Sequence, residues 1–96
     1  MIRHTVAFRL RHPSGSPQEA AFLSEALVLA DIPGVQNFEQ LRQVSDKNDY
    51  AFGFSMEFTD RAAYSVYNEH PVHLAFVATR WVPEVDAFQE TDYEPL

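Results

Sequence analysis

Residues 50–58, Tyr50-Ala51-Phe52-Gly53-Phe54-Ser55-Met56-Glu57-Phe58, place a large apolar side chain at every even position and a small or charged one at every odd position. A side-chain period of two belongs to a β-strand, and it commits the even face to a core. The N-terminus repeats the pattern, with Ile2, His4, Val6, Phe8 and Leu10 alternating against Arg3, Thr5, Ala7, Arg9 and Arg11. Two strands that each bury one face need a layer of helix above them. The remaining segments supply that layer.

Ser16-Pro17-Gln18-Glu19 reads as a capping box with proline at the first helical position, where its missing N–H costs nothing. The predicted helix runs to about Ala30, with Phe22, Leu23, Ala26, Leu27 and Ala30 on its apolar arc, and Ile32-Pro33-Gly34 stops it. Val35 to about Val44 reads as a more polar strand, joined by the loop Ser45–Asp49 to the strand at Tyr50, so these two pair antiparallel. Thr59 or Asp60 caps a helix from Arg61 to about Asn68, and Pro71 opens another from Val72 to about Trp81, which Pro83 ends. Val85 to about Tyr93 is a weaker strand. The order β, α, β, β, α, β, with the second helix broken in two, is the ferredoxin-like pattern of an α+β domain with an antiparallel sheet. Residues 1–96 form one such domain.

Composition narrows the functional classes. Fourteen acidic against seven basic residues give a formal charge of −7, which opposes binding to a phosphate backbone and argues against nucleic acid as a partner. There is no cysteine, hence no disulfide and no thiolate metal site. No run approaches the ~18 apolar residues of a membrane span, and Arg3, His4 and Arg9 interrupt the N-terminus too early for a secretory signal. The expected location is the cytoplasm.

The odd sheet face carries small residues, Thr5, Ala7, Ala51, Gly53 and Ser55, with Arg3, Arg9 and Glu57 toward the ends. Small side chains let a second sheet approach, and the charged rims are placed to pair across a two-fold axis, so a homodimer through the sheet faces is expected.

Chemistry concentrates in Tyr67-Asn68-Glu69-His70-Pro71-Val72-His73-Leu74-Ala75-Phe76. His73 falls in the first turn of the last helix, where a side chain reaches the rim of a cavity, while His70 before Pro71 reads most simply as that helix's cap. His4 occupies the otherwise apolar face of the first strand, where a buried imidazole needs a partner. His12, beside Pro13, reads as an exposed turn residue.

Taken together, Ile2-Arg3-His4, the Ile32-Pro33-Gly34 stop, His70-Pro71-Val72-His73 followed by Phe76, and Asp92-Tyr93 resemble the stress-responsive α/β-barrel (Dabb) family of the dimeric α+β barrel superfamily along the whole chain. The resemblance implies a dimer whose two sheets form a shared barrel. The family includes a plant polyketide cyclase that closes an aldol ring without a cofactor, using a tyrosine and a histidine that correspond to Tyr67 and His73, with the first-strand histidine corresponding to His4. Two further polar groups of that cyclase correspond to Ala26 and Phe52, so the same substrate is not implied.

The expected site is therefore a pocket between sheet and helices, with His73, Tyr67 and His4 as catalytic candidates and Phe8, Phe22, Ala26, Phe52, His70 and Phe76 around it. Three functions remain open on the sequence. One is a small-molecule-binding barrel, taking a carbonyl or aromatic compound, with cofactor-free acid–base chemistry of a cyclase or lyase kind. Another is a non-catalytic, stress-linked structural or interaction protein, in which Phe8, Phe22, Phe52, Phe76 and Trp81 fill the space. The third is a metal enzyme built on His4, His70 and His73. The preferred reading needs neither metal nor cofactor.

Overall fold

The computed structural model describes residues 1–96. Strands β1 (Ile2–Leu10) and β3 (Phe52–Phe58) pair antiparallel at the centre of a four-stranded sheet, with β2 (Gln36–Arg42) outside β3 and β4 (Val85–Tyr93) outside β1. Their register sets Val6 against Phe54 and Phe8 against Phe52, so the even residues of both central strands share one face and are buried there. Helices α1 (Pro17–Glu25), α2 (Arg61–Glu69) and α3 (Pro71–Phe76) cover that face. This is the ferredoxin-like α+β arrangement that the alternation predicts.

The caps form largely as the sequence implies. Ser16 accepts from the Glu19 N–H, and Asp60 accepts from the Ala63 N–H at 2.9 Å to start α2. The Glu19 carboxylate, however, reaches one residue further back than a capping box requires and accepts from the Gly15 N–H. Gly15 has φ +77°, a conformation glycine adopts without a Cβ penalty.

Four boundaries differ from expectation. The first helix leaves α geometry at Ala26 and finishes as a 3₁₀ segment, Ala26–Asp31, before the Ile32-Pro33-Gly34 stop. Strand β2, Gln36–Arg42, is shorter than Val35–Val44, and inside it the register slips between Gln36 and Glu39, where Asn37 takes φ 52°, a left-handed conformation that asparagine tolerates. Pro83 does not end the helical stretch. After α3 the chain widens into a π turn, Val77–Trp81, in which the Val82 N–H bonds the carbonyl of Val77, and Pro83 then sits at the start of α4 (Val82–Glu84), where it owes no N–H. The fourth difference is a bulge in β4. Leu10 pairs with Val85 but Arg9 with Ala87, leaving Asp86 as the extra residue. Beyond it Phe88, Glu90 and Asp92 stand opposite Phe8, Val6 and His4, on the helix-covered face.

The core gathers around Phe8, whose ring lies 4.7 Å from Phe54, 5.0 Å from Trp81, 5.7 Å from Phe52 and 5.8 Å from Phe22, centroid to centroid. Tilted and edge-on rings at these spacings are the packing that aromatic quadrupoles favour. The odd sheet face carries no helix, and Thr5, Ala7, Gly53 and Ser55 are half-buried there. Its charged rims pair within the chain, Arg3 with Glu57 and Arg9 with Asp86, each at 2.8 Å, and are not left free for a two-fold mate. His12 is no idle turn residue either: its Nε2 lies 2.7 Å from Glu84, half-buried, tying the end of β1 to α4.

Candidate functional site

On the β4 side of the sheet, from His4 toward Val85, the space between sheet and helices is not filled. A cavity of about 440 Å³ opens there, walled by Phe54, Phe76, Trp81 and Phe88 among other apolar residues, with His4, Tyr67, His73 and Glu90 as its polar groups. A volume of this order suits a small organic molecule.

Each polar group is positioned by the element that carries it. His4 projects from β1 toward α2, and its Nδ1 lies 2.6 Å from Asp92 Oδ1 on β4 and 2.9 Å from the Tyr64 hydroxyl on α2. The Tyr64 hydroxyl donates to Asp92 Oδ2 at 2.9 Å, closing a three-membered network. A carboxylate only accepts, so His4 carries a hydrogen on Nδ1, and in the neutral ring Nε2 is the acceptor. The Tyr64 hydroxyl is pushed well above the usual phenol range by burial first and by the Asp92 carboxylate second, so it remains a donor.

His73 stands on the first turn of α3. Its Nδ1 lies 3.0 Å from the carbonyl of Asn68, which only accepts, so the hydrogen again sits on Nδ1 and Nε2 is left as the basic atom. Burial holds this imidazole below its usual range, outweighing the pull of the Asn68 carbonyl, and His4 lowers it further. His73 is therefore neutral at neutral pH. The ring of Tyr67, one turn of α2 beyond Tyr64, lies 4.5 Å from the His73 ring and 6.2 Å from the His4 ring. Its hydroxyl has no partner in the chain, and burial pushes it far above the ordinary phenol value. One wall of the cavity thus offers a basic imidazole nitrogen, a protonated phenol and a second, carboxylate-anchored imidazole.

The surrounding residues differ from expectation. Of the six expected around the pocket only Phe76 lines it. Phe8, Phe22, Ala26 and Phe52 belong to the filled core instead, because the Phe8 ring packs against those of Phe22 and Phe52 and Ala26, the first residue of the 3₁₀ segment, is fully buried there. His70 turns away as well: its Nδ1 accepts from the Val72 N–H at 3.1 Å and caps α3. With His70 so engaged, the three imidazoles do not converge, and no group of three His, Asp or Glu side chains is placed to hold a metal ion. No helix is long and apolar enough to cross a membrane.

Sequence reading misses Tyr64, Glu90 and the structural use of Asp92. The i, i+3 spacing of Tyr64 and Tyr67 was an available signal, since it puts both hydroxyls on one face of α2. Simple alternation from Val85, by contrast, assigns Glu90 and Asp92 to the wrong face, because it does not include the bulge at Asp86.

Known structures agree with this architecture. A Dabb family protein with a ferredoxin-like fold from Mesorhizobium loti is 61% identical over 99% of this chain and 96% of its own, with a TM-score of 0.98. A dimeric ferredoxin-like protein of unknown function from Thermobifida fusca is 22% identical over 98% of this chain and 90% of its own (TM-score 0.78). The hydroxynitrile lyase of Passiflora edulis is 14% identical over 96% and 90% respectively (TM-score 0.81), a likeness of fold alone. No curated protein matches the sequence. The model of the stress responsive A/B barrel domain spans residues 2–95, nearly the whole chain, and the protein belongs to that family.

Proposed function

We propose that the protein is a cytoplasmic homodimer, joined through the uncovered sheet faces, whose cavity binds a small, largely apolar carbonyl compound and moves a proton on it without a cofactor. In this reading His73 Nε2 takes a proton from the carbon next to the carbonyl, and the electron pair of that C–H bond passes to the carbonyl oxygen as an enolate. The Tyr67 hydroxyl donates a hydrogen bond to that oxygen, and His4, held by Asp92 and Tyr64, keeps the substrate beside both. The observation that carries the reading is the pairing of an unprotonated imidazole with an unpartnered phenol, ring centroids 4.5 Å apart, on the wall of one apolar cavity. A hydroxynitrile lyase on the same fold is compatible with the lyase side of it. The small side chains of the open sheet face, and the dimeric state of several proteins of this fold, support the assembly.

The test is hydrogen–deuterium exchange at the carbon beside the carbonyl of 4-phenylbutan-2-one, followed by NMR in deuterated buffer. Wild type should exceed the buffer rate, and His73→Ala should lose about 10²- to 10⁴-fold of that excess while remaining folded. Exchange at the buffer rate in wild type, or undiminished exchange in His73→Ala, would remove the catalytic reading and leave the non-catalytic one.

A further inference from the structure

The polar groups of the cavity are not equivalent in charge. His4 is anchored by Asp92 and Tyr64, and His73 is neutral with its Nδ1 on Asn68. Glu90 is different: it lines the cavity at its solvent-exposed rim, stands opposite Val6 on the helix-covered face of β4, and its side chain makes no hydrogen bond or ion pair within the chain. No lysine or arginine lines the cavity to neutralise it. Of the arginines on the helical side, Arg80 is taken up by Glu84 at 2.8 Å and Arg61 lies 3.8 Å from Glu94. Beyond Glu90 stand aromatic rings, Phe54, Tyr67, Phe76, Trp81 and Phe88. An unpaired carboxylate beside several ring faces repels a carboxylate ligand and attracts an organic cation, which gains both the ion pair and the ring quadrupoles.

Building on the small-molecule reading above, we infer that Glu90 sets the charge selectivity of this cavity: it admits apolar compounds that carry a protonated amine, and neutral ones, and turns away carboxylates and phosphates. The carboxylate's influence extends across the site, because its charge raises both the Tyr67 hydroxyl and the His73 imidazole. An ammonium ligand seated against Glu90 would cancel that effect and lower His73 further.

Trp81, the single tryptophan of the chain, lines the cavity and serves as its reporter. Three probes on one frame separate charge from shape: phenethylamine as the cation, 4-phenylbutan-2-one as the neutral compound and 3-phenylpropionate as the anion. Titrated against Trp81 fluorescence at neutral pH and low salt, wild type should bind the cation at least about tenfold more tightly than the anion, a difference of about 1.4 kcal/mol. Glu90→Gln should bring the two within about threefold of each other, and Glu90→Asp should keep the preference. Salt near 1 M, which shortens the screening length to about 3 Å, should also narrow it. Equal affinities for cation and anion in wild type, or a ratio unmoved by Glu90→Gln, overturn the assignment of Glu90 while the ketone still binds. If none of the three probes binds, the small-molecule reading itself fails, and the inference with it.

Discussion

The two ends of β1 meet the same helical layer and are treated in opposite ways. At the Phe8 end, rings from α1, β3 and the π turn close on the strand and bury Phe8 completely. At the His4 end, the residue in the equivalent alternating position is an imidazole, its partners are Asp92 and Tyr64, and a cavity opens beside it. The first end secures the fold by area and dispersion; the second keeps a hollow open with directional bonds, which hold side chains apart as firmly as they hold them together. One strand therefore supplies both the anchor of the core and the wall of the site.

That contrast can be broken most sharply at Phe8. Phe8→Ala should cost about 3–5 kcal/mol in denaturant unfolding, because a fully buried ring among four others leaves a void that the sheet cannot collapse to fill. A loss under about 1 kcal/mol would mean that the two ends are not different in kind.

His4→Val should change stability by no more than about 1 kcal/mol. The valine continues the apolar alternation, while Tyr64 and the half-exposed Asp92 keep their bond to each other and to water. A loss as large as that of Phe8→Ala would show that the polar network, rather than the rings, holds the sheet to α2.

The smallest effect concerns pH. Because burial lowers His73 below its unfolded value, the unfolded chain takes up a proton there before the folded one does as pH falls. His73 thus contributes nothing above about pH 6.5 and subtracts stability progressively as pH falls below it, toward the folded value. His73→Gln should therefore lose less stability than wild type between neutral and mildly acidic pH. Parallel stability–pH curves for the two proteins would contradict the lowered imidazole.

How far the sequence discloses this depends on which end is read. The core end is plain in it, since Phe8, Phe52 and Phe54 fall on a strict period and the cap at Ser16 is local. His4 announces its need for a partner, but the partner lies 88 residues away across a strand pairing, and no local signal names it. β4 reads as weak for a physical reason: past Val85 its helix-facing side chains border a cavity, so the pressure toward apolar residues that marks β1 and β3 is absent, and Glu90 and Asp92 stand where a core strand would carry valines. Pro83 reads as the end of the helical stretch, which runs one residue past it, to Glu84, after the π turn.

The bulge at Asp86 makes the chemistry of the site depend on how the strand ladder accommodates one residue as well as on residue identity. Past it, every β4 side chain has exchanged faces relative to a strand without it. Because Val85 and Phe88 both face the helices across it, removing Asp86 would leave Phe88, Glu90 and Asp92 in place on a regular strand, whereas drawing Asp86 into the regular ladder would carry them to the open sheet face and bring Gln89, Thr91 and Tyr93 to the cavity, substituting an uncharged lining for an acidic one. A related chain can thus shed the residue at position 86 and keep its cavity lining, while a change that straightens the ladder there alters the ligand chemistry with every catalytic candidate on β1, α2 and α3 left in place.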